Sequence, residues 1–262
     1  MLSACAEIIA IGSELCYGRI YDTNSFWIAD QLTQLGVAVQ RITCVPDKIE
    51  EICSVFEESL KRKPDFIIST GGLGPTFDDL TIEALSRVTQ REIMTDREIL
   101  KSMAKRRGAK IEELPQNLVK MARTLKEATC LANPLGWAPV TIINSGKTMI
   151  IALPGPPREM KACFNEHVAP IISRRTRYRS LARRVIVKMF ESRVSVLTSR
   201  IMQEIPTVYM KPLVGEYNHE RGLPIEIMVF AINEEECKAK MKKAIESLRS
   251  LIGEKGGMLE LL

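Results

Sequence analysis

Residues 6–12 form an apolar run broken only by Glu7 and closed by Gly12, the pattern of a buried strand. Over residues 23–35 the apolar positions Phe26, Ile28, Leu32 and Leu35 follow helical spacing, with Asp22 or Thr23 as N-cap and Gly36 as stop. Residues 37–45 alternate as a second strand, and residues 49–60 read as a second amphipathic helix. After Pro64 come a third apolar strand at 65–70, a glycine loop, and a helix over 79–88. Strand and helix thus alternate three times, which implies right-handed crossovers and a mainly parallel sheet. Ligands of such sheets sit outside the carboxyl ends of the strands, so those loops are the first candidates for chemistry.

The pattern changes downstream. Residues 95–127 read as helical, with breaks near Gly108 and Pro115, and residues 140–144 and 148–153 bracket Ser145-Gly146 as a hairpin. A rigid Pro154-Gly155-Pro156-Pro157 loop precedes a helix over 158–167. Residues 174–184 are arginine-rich and weakly periodic, which marks a linker or boundary. Beyond them, strand (185–190), helix (192–205), strands (208–213 and 225–232) and helix (234–251) give a βαββα order that suits a small α+β domain. The predicted domains are 1–172 and 173–262.

Composition narrows the class. Hydrophobic residues at 45% and charged residues at 26% exclude global disorder and collagen-like repeats. The net charge of +5 conceals an asymmetry: residues 1–100 carry 9 Lys/Arg against 16 Asp/Glu, and residues 101–200 carry 20 against 6. That contrast suggests an anion site or a polyanion partner. The 7 cysteines are odd in number and include no C-x-x-C pair, which fits free thiols in a reducing cytoplasm rather than a zinc site or disulfide framework. The N-terminal run contains Glu7 and lacks a basic flank, so it does not read as a signal peptide. No run approaches the roughly 18 apolar residues of a membrane span.

The most informative segment is Thr70-Gly71-Gly72-Leu73-Gly74-Pro75-Thr76-Phe77-Asp78-Asp79-Leu80-Thr81, between a strand and a helix. Its glycines let backbone N–H groups approach an anion, and the helix start adds its dipole. Asp78 and Asp79 repel a bare phosphate, but suit a divalent cation bridging acid to phosphate, or a general base. Asp79 as an N-cap is the structural alternative. Asp47 lies on the same carboxyl edge, and is either a second functional acid or the cap of the helix that follows. Glu14, after the first strand, is a further acid there, and Asp22, Thr23, Asn24 and Ser25 offer polar groups for an anion or sugar, or a plain N-cap run.

Pro154 and Gly155 open a loop whose three prolines lack N–H donors, so it reads as a shaped wall. Gly146-Lys147-Thr148 resembles the end of a P-loop but lies between strands, and Gly253 to Gly256 spells a KH-type G-x-x-G too near the chain end to be flanked by helices. The only histidines, His167 and His219, are isolated. The arginines of 174–184, with Tyr178 among them, offer a nucleic-acid track, but a solvated linker or an interface suits them better.

Gly12-Ser13-Glu14-Leu15, Asp22-Thr23-Asn24-Ser25, the Thr70 to Thr81 stretch, Asn133-Pro134-Leu135-Gly136 and Leu153-Pro154-Gly155-Pro156-Pro157-Arg158-Glu159-Met160 occur here in the order found in one family. The chain resembles the competence/damage-inducible protein A (CinA) family over about residues 6–170, and residues 183–250 resemble that family's small middle domain. The family's first domain is similar to the molybdopterin-binding domains of molybdenum-cofactor biosynthesis. The resemblance implies a three-layer α/β/α first domain with a mainly parallel sheet. It implies a glycine loop holding phosphate, and acids Asp47 and Asp79 in cation-dependent chemistry. The residues themselves make Thr70, Gly71, Gly72, Gly74 and Thr76 the candidate phosphate ligands and Asp78 and Glu14 the candidate further cation ligands.

It further implies hydrolysis of the ADP-ribose pyrophosphate bond with a divalent cation of the Mg, Mn or Co class, or, as the alternative, binding or adenylylation of molybdopterin. A homo-oligomer, taken as a dimer, is implied too. Ser13 stands where many members have Asp, and Trp137 and Val140 replace small residues usual beside Asn133-Pro134. Many bacterial members continue into a nicotinamide mononucleotide deamidase domain that these 262 residues do not include, so that activity is not expected of them. A non-enzymatic nucleic-acid-binding protein is the third reading.

Overall fold

The computed structural model describes residues 4–261. They divide into two compact units, one of residues 4–32 and 37–175, the other of residues 33–36 and the chain from Thr176 onward.

The first unit opens with β1 (Ala4–Ile11), the single turn α1 (Ser13–Cys16), α2 (Thr23–Gln34), β2 (Val37–Val45), α3 (Ile49–Arg62), β3 (Phe66–Thr70) and α4 (Thr81–Thr89). There follow β4 (Ile93–Thr95), α5 (Arg97–Arg107), α6 (Gln116–Met121), β5 (Arg123–Leu125), β6 (Thr129–Leu131), β7 (Val140–Ser145) and β8 (Thr148–Leu153). It ends with α7 (Pro157–Cys163), a π-helical turn at Phe164–Val168, and α8 (Ala169–Arg175).

The main sheet has the order β2-β1-β3-β8-β7-β6. Its first four strands are parallel, and β7 and β6 continue it antiparallel. The fold is mixed α/β with a mainly parallel sheet, as the strand–helix alternation predicts. Ile9, Ile67 and Ile150 pack with Ile52, Val55 and Phe56 of α3 and Ile82 and Leu85 of α4. The alternate positions Ile8, Ile68 and Ile151 are equally buried, so the opposite face is covered as well. There Trp27 of α2 meets Phe164 edge to face, with ring centroids 5.3 Å apart.

Burying Glu7 (2% exposed) within β1 requires a partner, and Arg62 at the end of α3 supplies it with two 2.6 Å bonds. The helical expectation for 95–127 is corrected in part. The segment holds α5, a 3₁₀ turn and α6, but Ile93–Thr95 and Arg123–Leu125 pair as a small antiparallel sheet. Strands this short leave no readable period-2 pattern.

The second unit contains β9 (Arg179–Lys188), α9 (Glu191–Glu204), β10 (Val208–Pro212), β11 (Leu223–Ala231), α10 (Glu234–Glu254) and β12 (Met258–Leu261), with sheet order β10-β11-β9-β12. Val194, Leu197 and Ile201 of α9 and Met241, Ala244 and Leu248 of α10 pack on Val185, Ile225, Ile227 and Val229. The segment 174–184, expected as a linker or boundary, is mostly regular structure: Arg174 and Arg175 end α8, Arg179 begins β9, and the two units divide between Arg175 and Thr176. β12 pairs only with residues 185–188, and among the described residues no strand pairs with the arginine-rich half of β9 on that side, where exposed charges mask the strand pattern. Arg184 there bonds Glu216 (3.2 Å) and Glu226 (3.6 Å).

Candidate functional site

The carboxyl ends of β1, β2, β3 and β8 all point to one edge of the parallel sheet. A cavity of about 820 Å³ opens there, lined by the loops that follow those four strands. Asp22, Thr23, Asn24, Asp47, Thr70, Gly71, Gly72, Gly74, Thr76, Asp78, Asp79, Glu14, Pro154 and Gly155 all line it. Ser25 does not: it is buried (1% exposed) with its N–H capped by Asp22 Oδ1 at 2.9 Å.

The glycine loop is shaped by backbone needs. Gly71 has φ +101° and Gly72 φ +66°, a region L side chains avoid, and a Cβ at position 71 would overlap the Ile11 carbonyl oxygen. Thr81 Oγ1 donates to the Gly71 carbonyl (2.8 Å), and its N–H donates to the Gly72 carbonyl (3.0 Å), tying the loop to the start of α4. One expectation is corrected here. The Gly71 N–H donates to the Leu153 carbonyl (3.1 Å) and is not open to a phosphate, because β3 and β8 are neighbours. The N–H groups of Gly72, Leu73 and Gly74 have no partner among the described residues.

Neither central acid is a helix cap. Asp47 Oδ2 accepts from the Ser13 N–H (2.7 Å) while the Asp47 N–H donates to Ser13 Oγ (3.1 Å), a reciprocal pair joining the loops after β1 and β2. Asp79 Oδ2 accepts from the Thr76 N–H (2.7 Å) and lies 2.6 Å from the Thr76 hydroxyl. That hydroxyl also reaches Asp78 Oδ1, and its hydrogen bond holds the Asp78 carboxyl below the usual carboxylate range. The remaining oxygen of Asp47 and of Asp79 has no hydrogen-bond partner among the described residues.

Asn24 links three loops: its amide donates to Thr70 Oγ1 (3.0 Å) and to the Gly155 carbonyl (2.7 Å), and Thr70 Oγ1 donates to the Pro154 carbonyl (3.0 Å). Its Oδ1 is buried without a partner among the described residues.

Sequence reasoning missed Lys120 and Arg106, and named Trp137, Asn133 and Glu159 only through the family likeness. The Lys120 ammonium donates to the carbonyls of Thr76 and of Asp79, the latter at 3.0 Å, clamping the turn that carries the paired acids. Trp137 lines the cavity with the Arg106 guanidinium 4.6 Å over its ring. Glu159 lines it too, held by the Asn133 amide at 2.7 Å. Asn133 and Glu159 stand in motifs noted only as family likeness, and no local signal marks Lys120.

Hard carboxylate oxygens suit Mg²⁺ or Mn²⁺. No three His, Cys, Asp or Glu side chains among the described residues gather into a metal cage. Asp47 and Asp79, with one open oxygen each, fit a cation completed by ligand phosphate and water, the common arrangement for Mg²⁺. They fit poorly a cation held by the protein alone.

A probable molybdopterin binding domain matches residues 7–174, well over half the chain. A crystal structure of the protein CinA, of unknown function, from Thermoplasma acidophilum is similar, with TM-score 0.61 and 33% identity over 65% of this chain and 99% of that one. The chain belongs to the CinA-like branch of the molybdopterin-binding-domain family. A Sulfurisphaera tokodaii protein is 37% identical over 268 residues, covering 97% of both chains. A CinA-like protein of Thermosipho melanesiensis is 42% identical over 159 residues, 61% of this chain and 39% of that one. No helix among the described residues is long and apolar enough to cross a membrane.

Proposed function

We propose that the chain is a divalent-cation-dependent pyrophosphatase acting on ADP-ribose or a related nucleoside diphosphate derivative. The observation that carries this reading is the juxtaposition in one cavity of three unpartnered loop amides, at Gly72, Leu73 and Gly74, with Asp47 and Asp79, each holding one open carboxylate oxygen. Amides alone suit any phosphate, whereas acids beside them suit a cation–phosphate complex.

The loop amides take phosphate oxygens and orient the anhydride. Asp47 and Asp79 would hold the cation, which when bound would withdraw charge from the phosphates and make water a better nucleophile. Lys120 keeps the Asp79 turn in place through its two carbonyls. Trp137 and Glu159 form the wall for the organic part of the substrate.

Incubating the protein with ADP-ribose and related diphosphates under Mg²⁺, Mn²⁺ or Co²⁺ tests the reading. AMP and ribose 5-phosphate are the expected products, and no cleavage of any diphosphate with any cation refutes it. The family description favours a second reading, a molybdopterin binder or adenylylating enzyme using the same amides for the pterin phosphate. ATP-dependent adenylylation of molybdopterin without diphosphate cleavage would establish that alternative.

A further inference from the structure

Two of the cysteines stand apart from the rest. Cys16, at the end of α1, and Cys44, on β2, are exposed, and their sulfurs lie 3.6 Å apart although 28 positions separate them. Among the described residues, no other cysteine pair is within hydrogen-bonding distance, and Cys163 and Cys237 are buried.

The approach is built into the backbone. The Gly12 N–H donates to the Val45 carbonyl (3.0 Å), and the reciprocal Ser13–Asp47 bonds lock the next residues together. These ties flank both cysteines and hold their main chains at a fixed separation. Closing 3.6 Å to the roughly 2.05 Å of a disulfide takes a shift of about 1.5 Å, within reach of two exposed side chains at the end of a single helical turn. Glu14 and Leu15, just before Cys16, line the cavity, so a bond here braces its wall.

We propose that Cys16 and Cys44 are a redox modification site, forming a reversible intramolecular disulfide by exchange with a low-molecular-weight disulfide. One thiolate attacks the small disulfide and releases one small thiol. The second cysteine then attacks the mixed disulfide and releases the other. The protein loses two hydrogens and two electrons, and the small disulfide gains both as two thiols. In a reducing compartment the bond is transient, formed when the thiol pool is oxidised.

The test uses the wild-type chain equilibrated with glutathione disulfide, alkylated with N-ethylmaleimide, digested and mapped by mass. The expected result is a linked Cys16–Cys44 peptide pair two hydrogens lighter than the reduced peptides and reversed by dithiothreitol. Cys44→Ser should instead leave a stable glutathione adduct on Cys16, whose sulfur is exposed. Wild-type protein carrying separate glutathione adducts on both residues, or both fully alkylated, overturns the proposal, as does a link from either residue to another cysteine.

Discussion

Replacing Lys120 with methionine keeps the aliphatic stem and removes the ammonium. The two acceptors it loses, the carbonyls of Thr76 and Asp79, bracket the turn that presents Asp78 and Asp79. A hydrogen bond from a charged donor contributes about 1.5–3 kcal/mol. Lys120 is half-buried, so water replaces part of what is lost, and about 2 kcal/mol for the two bonds together is reasonable. That corresponds to an opening of the turn about 30 times more frequent, since every 1.4 kcal/mol is about tenfold. Hydrogen exchange reads it directly at the Thr76 N–H, which bonds Asp79 Oδ2, and the Thr81 N–H, which bonds the Gly72 carbonyl. Both amides should lose about 30-fold protection while amides in the β3 ladder keep theirs. Diphosphate cleavage should fall at least about tenfold. Wild-type exchange at both amides in Lys120→Met would show that the clamp does not hold the turn.

Arg62→Met strands the buried Glu7 carboxylate and should cost about 3 kcal/mol in urea unfolding, the lower end of the usual range because 26% of the Arg62 side chain is exposed. Burial alone would raise the Glu7 carboxyl, but the two bonds from Arg62 outweigh it and hold Glu7 below its ordinary 4.5, so this stabilisation is present above that value and lost as pH falls through the lower folded one. The acid limb of a stability-versus-pH curve should therefore flatten in Glu7→Gln, and an unchanged limb would contradict the pairing. Gly71→Ala, at φ +101° and against the Ile11 carbonyl, should destabilise by at least about 2 kcal/mol, visible as a lowered Tm. Trp137→Ala should raise KM for diphosphate substrates severalfold with little change in kcat, because its ring forms wall rather than reacting centre; equal loss in kcat would contradict that placement.

The parallel half of the first unit was legible because each strand there is a short apolar run followed by a loop and an amphipathic helix. That alternation by itself puts Asp47, Asp79, Glu14 and the glycine loop on one edge of a parallel sheet. Which loop amides are open was not legible. Gly71 bonds across to Leu153, a pairing between residues far apart in sequence, while Gly72 and Gly74 beside it do not. Nor were the hydrogen-bond partners of the aspartates, since an Asp before a helix reads as a cap until tertiary partners such as Ser13 and Thr76 are known. Lys120 was invisible for a related reason: it bonds backbone carbonyls, which carry no residue signature. The arginines of 179–184 misled because outward charges on an open strand look like a linker.

Hydrolysis of ADP-ribose by wild type and by Asp79→Asn, compared in Mg²⁺ or Mn²⁺, tests the central claim most directly. The substitution keeps the Oδ acceptor geometry toward Thr76 within reach but removes the charge beside the loop amides. Cleavage to AMP and ribose 5-phosphate should drop by at least about a hundredfold with an unchanged thermal melt. Asp79→Asn protein that cleaves ADP-ribose at the wild-type rate would contradict it.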